Sequence, residues 1–180
     1  GHGVPGAFMT LMTNSILNSI VKDRGISQPD EIIRLLHQEV RYTLQQGHSE
    51  SMKDGLDISL ILIDRDKAEL SYAGAVHKAL LYSQRAGSHQ PRVLSGVKYS
   101  LGGTREEINP ELETHPYQPG DLIYLVTDGI LDQPVMQDGT LKRRIFQDWL
   151  QLFGGFVKTD FASQQQAWES FLQSQVSHSE

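Results

Sequence analysis

The order of the hydrophobic patterns along the chain constrains its fold more than any other feature. Helical spacing comes first, strand patterns follow between residues 56 and 126, and two further helical patterns close the chain. A block of strands with helices on both sides favours an α+β layered fold over alternating βαβ units. With 180 residues and 38% hydrophobic content the chain is long enough for a proper core and too short to expect two domains. We therefore predict a single domain over residues 1–180.

Two helices are predicted before the strand block. The first follows Pro5, whose fixed φ suits a first helical turn, and runs to about Lys22 with its stop near Gly25. The second has Ser27 as its N-cap and ends at Gly47. Both carry apolar residues at helical spacing, so each is expected to bury one face.

The strand block begins with a predicted hairpin, in which residues 56–63 and 69–75 flank a turn at 65–68. Three weaker strand patterns follow, at residues 80–82, 93–101 and 112–117. The continuous apolar run Leu122–Val126 is typical of a strand buried on both faces. Helices are predicted over residues 141–153 and 164–175, with Trp149, Leu152, Trp168 and Phe171 as core residues.

Composition excludes several classes of protein and of site. A net charge of -6 argues against a nucleic-acid surface, and we interpret the short basic cluster Lys142-Arg143-Arg144 as a solvated helix face. The chain has no cysteine, which excludes thiolate catalysis, and no apolar run approaches the length of a membrane span. His37 and His48 lack neighbours at ligand spacing, and we interpret both as surface residues.

A glycine-rich turn leads directly into the first helix, in the sequence Gly1-His2-Gly3-Val4-Pro5-Gly6-Ala7-Phe8-Met9-Thr10. Free N–H groups and the positive end of the dipole gather at a helix N-terminus, which favours an anion, a phosphate or the acidic cluster of a metal site. The alternative is a turn that only starts a core helix. The spacing alone leaves both interpretations open.

A second motif, Thr127-Asp128-Gly129-Ile130-Leu131-Asp132, follows the apolar run Leu122–Val126. A carboxylate at the mouth of a buried strand is costly unless it caps a turn or holds a cation. The motif is thus either a site for a cation or an ordinary Asp-Gly turn.

Together the two motifs resemble those of the bacterial SpoIIE/RsbU-type serine phosphatases, a branch of the metal-dependent PPM protein phosphatases. Asp54–Ser59 and Tyr72–Ala75 also look like segments of that family. The resemblance implies two antiparallel sheets packed face to face between helices, with a pair of Mn²⁺ or Mg²⁺ ions at one edge. It makes Asp128 a metal ligand, and it implies that the motif of Asp128 lies beside the glycine-rich turn and frames a pocket for divalent ions with it. It assigns supporting places to Gly1, His2, Gly3, Gly129, Asp132 and Asp57, although Asp57 could instead simply start a strand.

The sequence also departs from the family pattern at both of its ends. A metal-binding Asp three residues before the Gly-His-Gly is absent because the sequence starts at Gly1, and no Asp-Asp pair follows the last helix. We therefore expect the sequence to be a portion of a longer polypeptide that binds metal poorly as written. His77 stands where relatives carry a small polar residue or a histidine, and its role is open.

The implied function is a serine/threonine phosphoprotein phosphatase in a bacterial partner-switching pathway. Its substrate would be a small STAS-type, anti-anti-sigma-like or SiaC-like protein, and the motifs look most like the SiaA branch, which is linked to biofilm and cyclic-di-GMP control. Such a domain is expected on the cytoplasmic side, without membrane contact of its own, even in a membrane-anchored protein. The alternative is a catalytically silent phosphatase-like module that binds a partner or holds a homodimer through the first helix.

Overall fold

A computed structural model describes residues 3–46, 55–83, 91–104, 106–132, 134–137, 140–143, 149–150, 153–155 and 159–176. The helices are α1 (Gly3–Asn18), α2 (Pro29–Gln46), α3 (Asp128–Leu131) and α4 (Phe161–Val176), and a π-helical turn, Ser19–Asp23, follows α1. The strands are β1 (Ile58–Asp64), β2 (Glu69–Ala75), β3 (Lys78–Tyr82), β4 (Arg92–Ser95), β5 (Glu113–Pro116), β6 (Leu122–Val126), β7 (Pro134–Gln137) and β8 (Thr140–Arg143). In the part of the chain that is described, no helix is long and apolar enough to cross a membrane.

The strands form two three-stranded sheets and one hairpin. The first sheet has the order β1-β2-β5, the second has the order β4-β3-β6, and β7 pairs with β8. Strands β1 and β2 are antiparallel and paired along their whole length, from Ile58 opposite Ala75 to Asp64 opposite Glu69. Sheets with helices before and after them confirm the predicted α+β class.

The chain divides into two compact units. The first consists of Gly1–Ala79 and Leu94–Gln118, and the second of Leu80–Val93 and Pro119–Glu180. The expectation of one domain over residues 1–180 stays a prediction, since two compact units can belong to a single domain or to separate ones.

The core of the first unit lies between its helices and its sheet. Aliphatic side chains from α2 pack with those of β2 and with the end of the first helix, and Met9, Met12, Ile16 and Leu17 add one face of α1. The fully buried members are Ile20, Ile33, Leu36, Val40, Ala73, Ala75 and Leu101. The helical spacing that predicted α1 and α2 therefore corresponds to faces that are buried.

The second unit has an aromatic core. Trp149 is 1% exposed and stacks on Trp168 with ring centroids 6.3 Å apart. Phe153 lies 4.8 Å from Trp168 and 5.1 Å from Tyr124, measured between ring centroids. Trp149, Trp168 and Phe171 are thus confirmed as core residues, and Leu152 lies outside the described residues.

The predicted end of the first helix is confirmed, and the predicted start of the second is off by one residue. The π-helical turn continues α1 to Asp23, and Gly25 then takes a φ of +70°, which ends the helix as expected. Helix α2 begins at Pro29, so Ser27 lies one residue before its N-cap position. Gly47, predicted to end α2, lies outside the described residues.

The prediction of a helix over residues 141–153 is wrong for its first residues. Residues 140–143 form β8, which pairs with β7 between Pro134 and Arg143. Lys142 and Arg143 therefore belong to a strand and not to a helix face. The dipeptide Asp138-Gly139 between the two strands is a strong hairpin signal that outweighs the helical spacing.

His37 is not a surface residue. It is 1% exposed, because α2 packs against the segment that contains Gly102 and Glu106. The Gly102 N–H donates to His37 Nδ1 at 3.2 Å, and His37 Nε2 donates to the Glu106 carbonyl at 3.0 Å. His48 lies outside the described residues.

Strand β6 has the predicted bounds but is not buried on both faces. Val126 is buried and Leu125 is 54% exposed, while the three residues before them are half-buried. Leu122 and Tyr124 pack against the aromatic core of the second unit. The apolar run thus marks a strand with one face on a core.

Candidate metal and phosphate site

Asp128 is the first residue of α3 and follows β6 after a single residue. Its side chain is exposed to solvent. The cost of an unpaired buried charge, which suggested a cation at this position, therefore does not apply to the structure. A carboxylate in the first turn of a helix also interacts favourably with the helix dipole, so Asp128 is compatible with the fold without a bound ion.

Gly129 has no conformational requirement for glycine. Its φ is not in the left-handed region, and a Cβ atom built on it would meet only Thr127 Oγ1, at an ordinary 3.5 Å. The residue lies in the short helix α3. An Asp-Gly turn with a positive φ would have needed glycine at this position. The simple turn interpretation of this motif therefore does not explain why glycine is there.

Asp132 comes one residue after α3. Its N–H donates to the carbonyl of Asp128 at 2.7 Å, which continues the helical hydrogen bonding, and its side chain is exposed. The two carboxylates therefore belong to one short helical segment. The supporting role of Asp132 at a metal site stays a prediction.

Asp57 has a structural partner. The Ser100 hydroxyl donates to Asp57 Oδ1 at 2.5 Å, next to the bridge between Leu56 and Leu101. This hydrogen bond joins the start of β1 to the segment before Gly102. It accounts for one carboxylate oxygen and favours the structural alternative for Asp57. Ser100 had no sequence signal of its own, because its contact depends on the pairing of residues 43 positions apart.

The loop between β2 and β3 contains an unusual turn. Val76 has a φ of +64°, and the His77 N–H donates to the Ala75 carbonyl at 2.7 Å, which is the bond of a γ-turn. The buried Tyr72 hydroxyl donates to the His77 carbonyl at 2.8 Å, and burial raises the pKa of Tyr72. A β-branched residue is rarely found in this backbone region.

Gly74 lies where two backbone segments approach each other closely. A Cβ atom on Gly96 would collide with the backbone of Gly74, and one on Gly74 would collide with the Tyr72 hydroxyl. The Val97 N–H donates to the Gly74 carbonyl at 2.9 Å across this approach. Two glycines are therefore required for these segments to pack together.

The glycine-rich turn is described only from Gly3, where α1 begins. Gly1 and His2 lie outside the described residues. The expected juxtaposition of this turn with Asp128 stays a prediction. Val4, Phe8 and Leu11 project from the exposed side of α1, at 83%, 53% and 71% exposure.

Whether the residues fit a pair of divalent ions can be judged from their donor groups. Hard cations take several oxygen ligands each. Among the described residues, no three His, Asp or Glu side chains come together in a group that could hold a metal ion. Asp128 supplies one exposed carboxylate, so these residues by themselves do not fit a two-metal centre.

The chain matches a known protein family and resembles a solved structure. The family model described as stage II sporulation protein E (SpoIIE) matches residues 1–154. The structure is similar to the SiaA-PP2C domain of Pseudomonas aeruginosa, with a TM-score of 0.78, 23% sequence identity and 97% of this chain covered. The chain spans 65% of the length of that domain. No curated protein sequence matches the chain. The structural likeness confirms the PPM-type fold that the motifs predicted.

Proposed function

We propose that this chain, which belongs to the SpoIIE family, is the phosphatase domain of a bacterial signalling protein. The reaction proposed is hydrolysis of phosphoserine or phosphothreonine on a partner protein. The match over residues 1–154 carries this proposal, since that range includes both the glycine-rich turn and Asp128. The likeness to a PP2C domain supports it through the fold.

The chemistry proposed is hydrolysis of a phosphomonoester by water. The chain contains no cysteine, so a phosphocysteine intermediate is excluded for its own residues. A divalent ion of the Mn²⁺ or Mg²⁺ type would supply charge stabilisation for the phosphoryl oxygens. Asp128 is the residue of this chain that we propose as a ligand, because its carboxylate is accessible and directly follows a sheet strand.

The substrate that we propose is a small phosphorylated protein of the STAS type, like the anti-anti-sigma proteins and SiaC. The likeness to a SiaA domain supports this choice, and a role in biofilm or cyclic-di-GMP control is proposed on the same ground. We propose that the domain acts on the cytoplasmic side of the membrane.

The proposal is tested by phosphate release. The protein in its natural length is assayed with p-nitrophenyl phosphate and with a phosphoserine STAS-type protein, with and without Mn²⁺. Turnover that requires Mn²⁺ and is lost in Asp128→Ala, with circular dichroism unchanged, is the expected result. Asp66→Ala is the matched control, because Asp66 is an exposed carboxylate in the β1–β2 turn. Full turnover in Asp128→Ala would refute the assignment of Asp128 as a metal ligand. No turnover in the unmodified protein would refute the proposal that the protein is a phosphatase.

A catalytically silent module that binds a partner or forms a homodimer is the second candidate. The exposed apolar face of α1, formed by Val4, Phe8 and Leu11, favours it, as does the lack of a three-ligand group among the described side chains. A dimer that dissociates in Phe8→Ser, in a protein without phosphatase turnover, would support this candidate over the enzyme. The hydrodynamic mass measured by light scattering distinguishes the two states.

A further inference from the structure

A pocket of about 380 Å³ lies beside α2 in the first unit. Its volume is in the range of about 300–1,000 Å³ that is usual for small-molecule sites. The residues that matter for its chemistry are Arg34, His37, Gln38, Arg41, Tyr42 and Glu107. None of them belongs to the motifs on which the phosphatase proposal depends.

Two arginines give the pocket a cationic wall. Arg34 and Arg41 are seven residues apart on α2, so two helical turns bring both to one face. Arg34 is paired with Glu31 at 3.8 Å, with both side chains more than 40% exposed, and such surface pairs are weak. A phosphate can therefore compete with Glu31 for the Arg34 guanidinium, because planar guanidinium groups bind phosphate through two parallel hydrogen bonds.

His37 forms a rigid, uncharged floor. Both of its ring nitrogens are used within the protein, by the Gly102 N–H and the Glu106 carbonyl. Burial is the main cause that lowers its pKa, and the charge of Arg41 acts in the same direction. These bonds hold the segment that ends at Glu107 against α2, so the pocket is formed before any ligand binds.

The remaining residues indicate what else the ligand carries. Tyr42 is 62% exposed, which leaves its ring available for stacking on a flat group. Glu107 is an exposed acceptor that suits a hydroxyl or amino group of a ligand and repels a simple anion. The chain as a whole has a net charge of -6, so anions are not attracted to its surface in general.

We propose that this pocket binds a small organic phosphate with a flat ring, of the nucleotide class. Arg34 and Arg41 bind the phosphates, Tyr42 stacks on the base, and Glu107 accepts a hydrogen bond from the sugar or the base. Gln38, between the two arginines on the same face of α2, supplies an amide for a further hydrogen bond. None of these residues belongs to the motif that contains Asp128, and the proposal does not depend on hydrolysis.

The test measures binding by isothermal titration calorimetry, with adenosine diphosphate, inorganic phosphate and adenosine as three probes. Asp128→Ala is the background for every titration, so that binding at the proposed phosphatase site does not contribute. We expect saturable binding of adenosine diphosphate that is about tenfold or more tighter than binding of either smaller probe, since each of these lacks one set of contacts.

Variants then locate the site. Arg34→Gln and Arg41→Gln are each expected to weaken adenosine diphosphate binding by about tenfold, since each removes a charge-assisted hydrogen bond to phosphate. Tyr42→Ala should weaken it too, and its exposed position makes loss of folding no concern. Arg65→Gln, at an exposed arginine in the β1–β2 turn, is the matched control and should leave binding unchanged. No saturation in the millimolar range, equal affinity for inorganic phosphate, or an equal loss in Arg65→Gln would each overturn the proposal.

Discussion

Replacement of His37 by glutamine should change how the stability of the protein depends on pH. His37 Nδ1 accepts the Gly102 N–H, so this nitrogen must be unprotonated in the folded chain. Protonation would place a second N–H opposite the Gly102 donor and a charge in a residue that is 1% exposed. Burial accordingly lowers the pKa of His37 below its usual value of 6.5.

The sign of the effect follows from proton linkage. Below pH 6.5 the unfolded chain binds a proton at His37 that the folded chain still excludes, so unfolding is favoured as the pH falls. The slope contributed by this one group is at most about 1.4 kcal/mol per pH unit. It extends from pH 6.5 down to the lowered pKa of the folded state and is absent above about pH 7.5.

The assay is urea unfolding between pH 5 and 8, on the wild-type chain and on His37→Gln. Glutamine does not titrate, so the slope due to residue 37 should disappear. At pH 8 the variant should be less stable by about 1–3 kcal/mol, because the amide of glutamine does not reproduce both hydrogen bonds that the two ring nitrogens of His37 make with Gly102 and Glu106. Asp64 and Asp160, whose pKa values are lowered by hydrogen bonds from nearby backbone groups, add their own acid sensitivity equally in both proteins. Equal slopes in the two proteins between pH 5.5 and 7 would refute the reasoning.

Four other substitutions test single positions. Ala68→Gly should raise the free energy of unfolding by about 0.5–1 kcal/mol, since Ala68 has a φ of 53° and an exposed side chain. Ala7 is also exposed but lies within helix α1, so Ala7→Gly should lower the free energy of unfolding by about as much. Urea unfolding measures both changes, and a loss of stability in Ala68→Gly would show that the backbone of Ala68 is not strained. Gly129→Ala should leave the thermal midpoint unchanged or higher, because a Cβ atom at this residue would meet only Thr127 Oγ1, at 3.5 Å. On our proposal that Asp128 is a metal ligand, a methyl group at the next residue would crowd the phosphoryl group and reduce phosphate release; unchanged turnover would show that no ligand approaches there. Tyr124→Phe should lower the free energy of unfolding in urea by about 1–3 kcal/mol, because the side chain of Gln164 is buried and its Oε1, 2.7 Å from the Tyr124 hydroxyl, loses its donor. An unaltered midpoint would contradict this.

Local patterns were sufficient for much of the fold. The hairpin of β1 and β2 follows from two strand patterns around a four-residue turn, and α2 follows from its apolar face. The β7–β8 hairpin was missed because the helical spacing around Leu141 was followed in place of the hairpin signal of the Asp138-Gly139 dipeptide. Burial of His37 could not be predicted either, since its partners lie 65 and 69 residues away.

The sequence was sufficient to predict the motifs of the candidate site, but not the exposure or the hydrogen-bond partners of their residues. The sequence placed Asp128 directly after a strand, which is confirmed, but exposure depends on what covers the strand end. Asp57 shows the same limit, because its hydrogen bond with Ser100 arises from pairing distant in sequence. The strain at Val76 also has no sequence signal, since valine is not a residue that such a turn normally contains.

The π-helical turn at Ser19–Asp23 has a consequence for how this protein can vary in length. Its wider ring is closed by the Arg24 N–H, which donates to the Ser19 carbonyl five residues earlier at 3.0 Å. Such a turn contains one residue more than an α-helix needs for the same rise. A single-residue deletion here would convert this last turn of the first helix to an ordinary α-helical one and leave the preceding turns of α1 unchanged. Single-codon insertions and deletions among homologues are therefore expected to concentrate at this point of the chain.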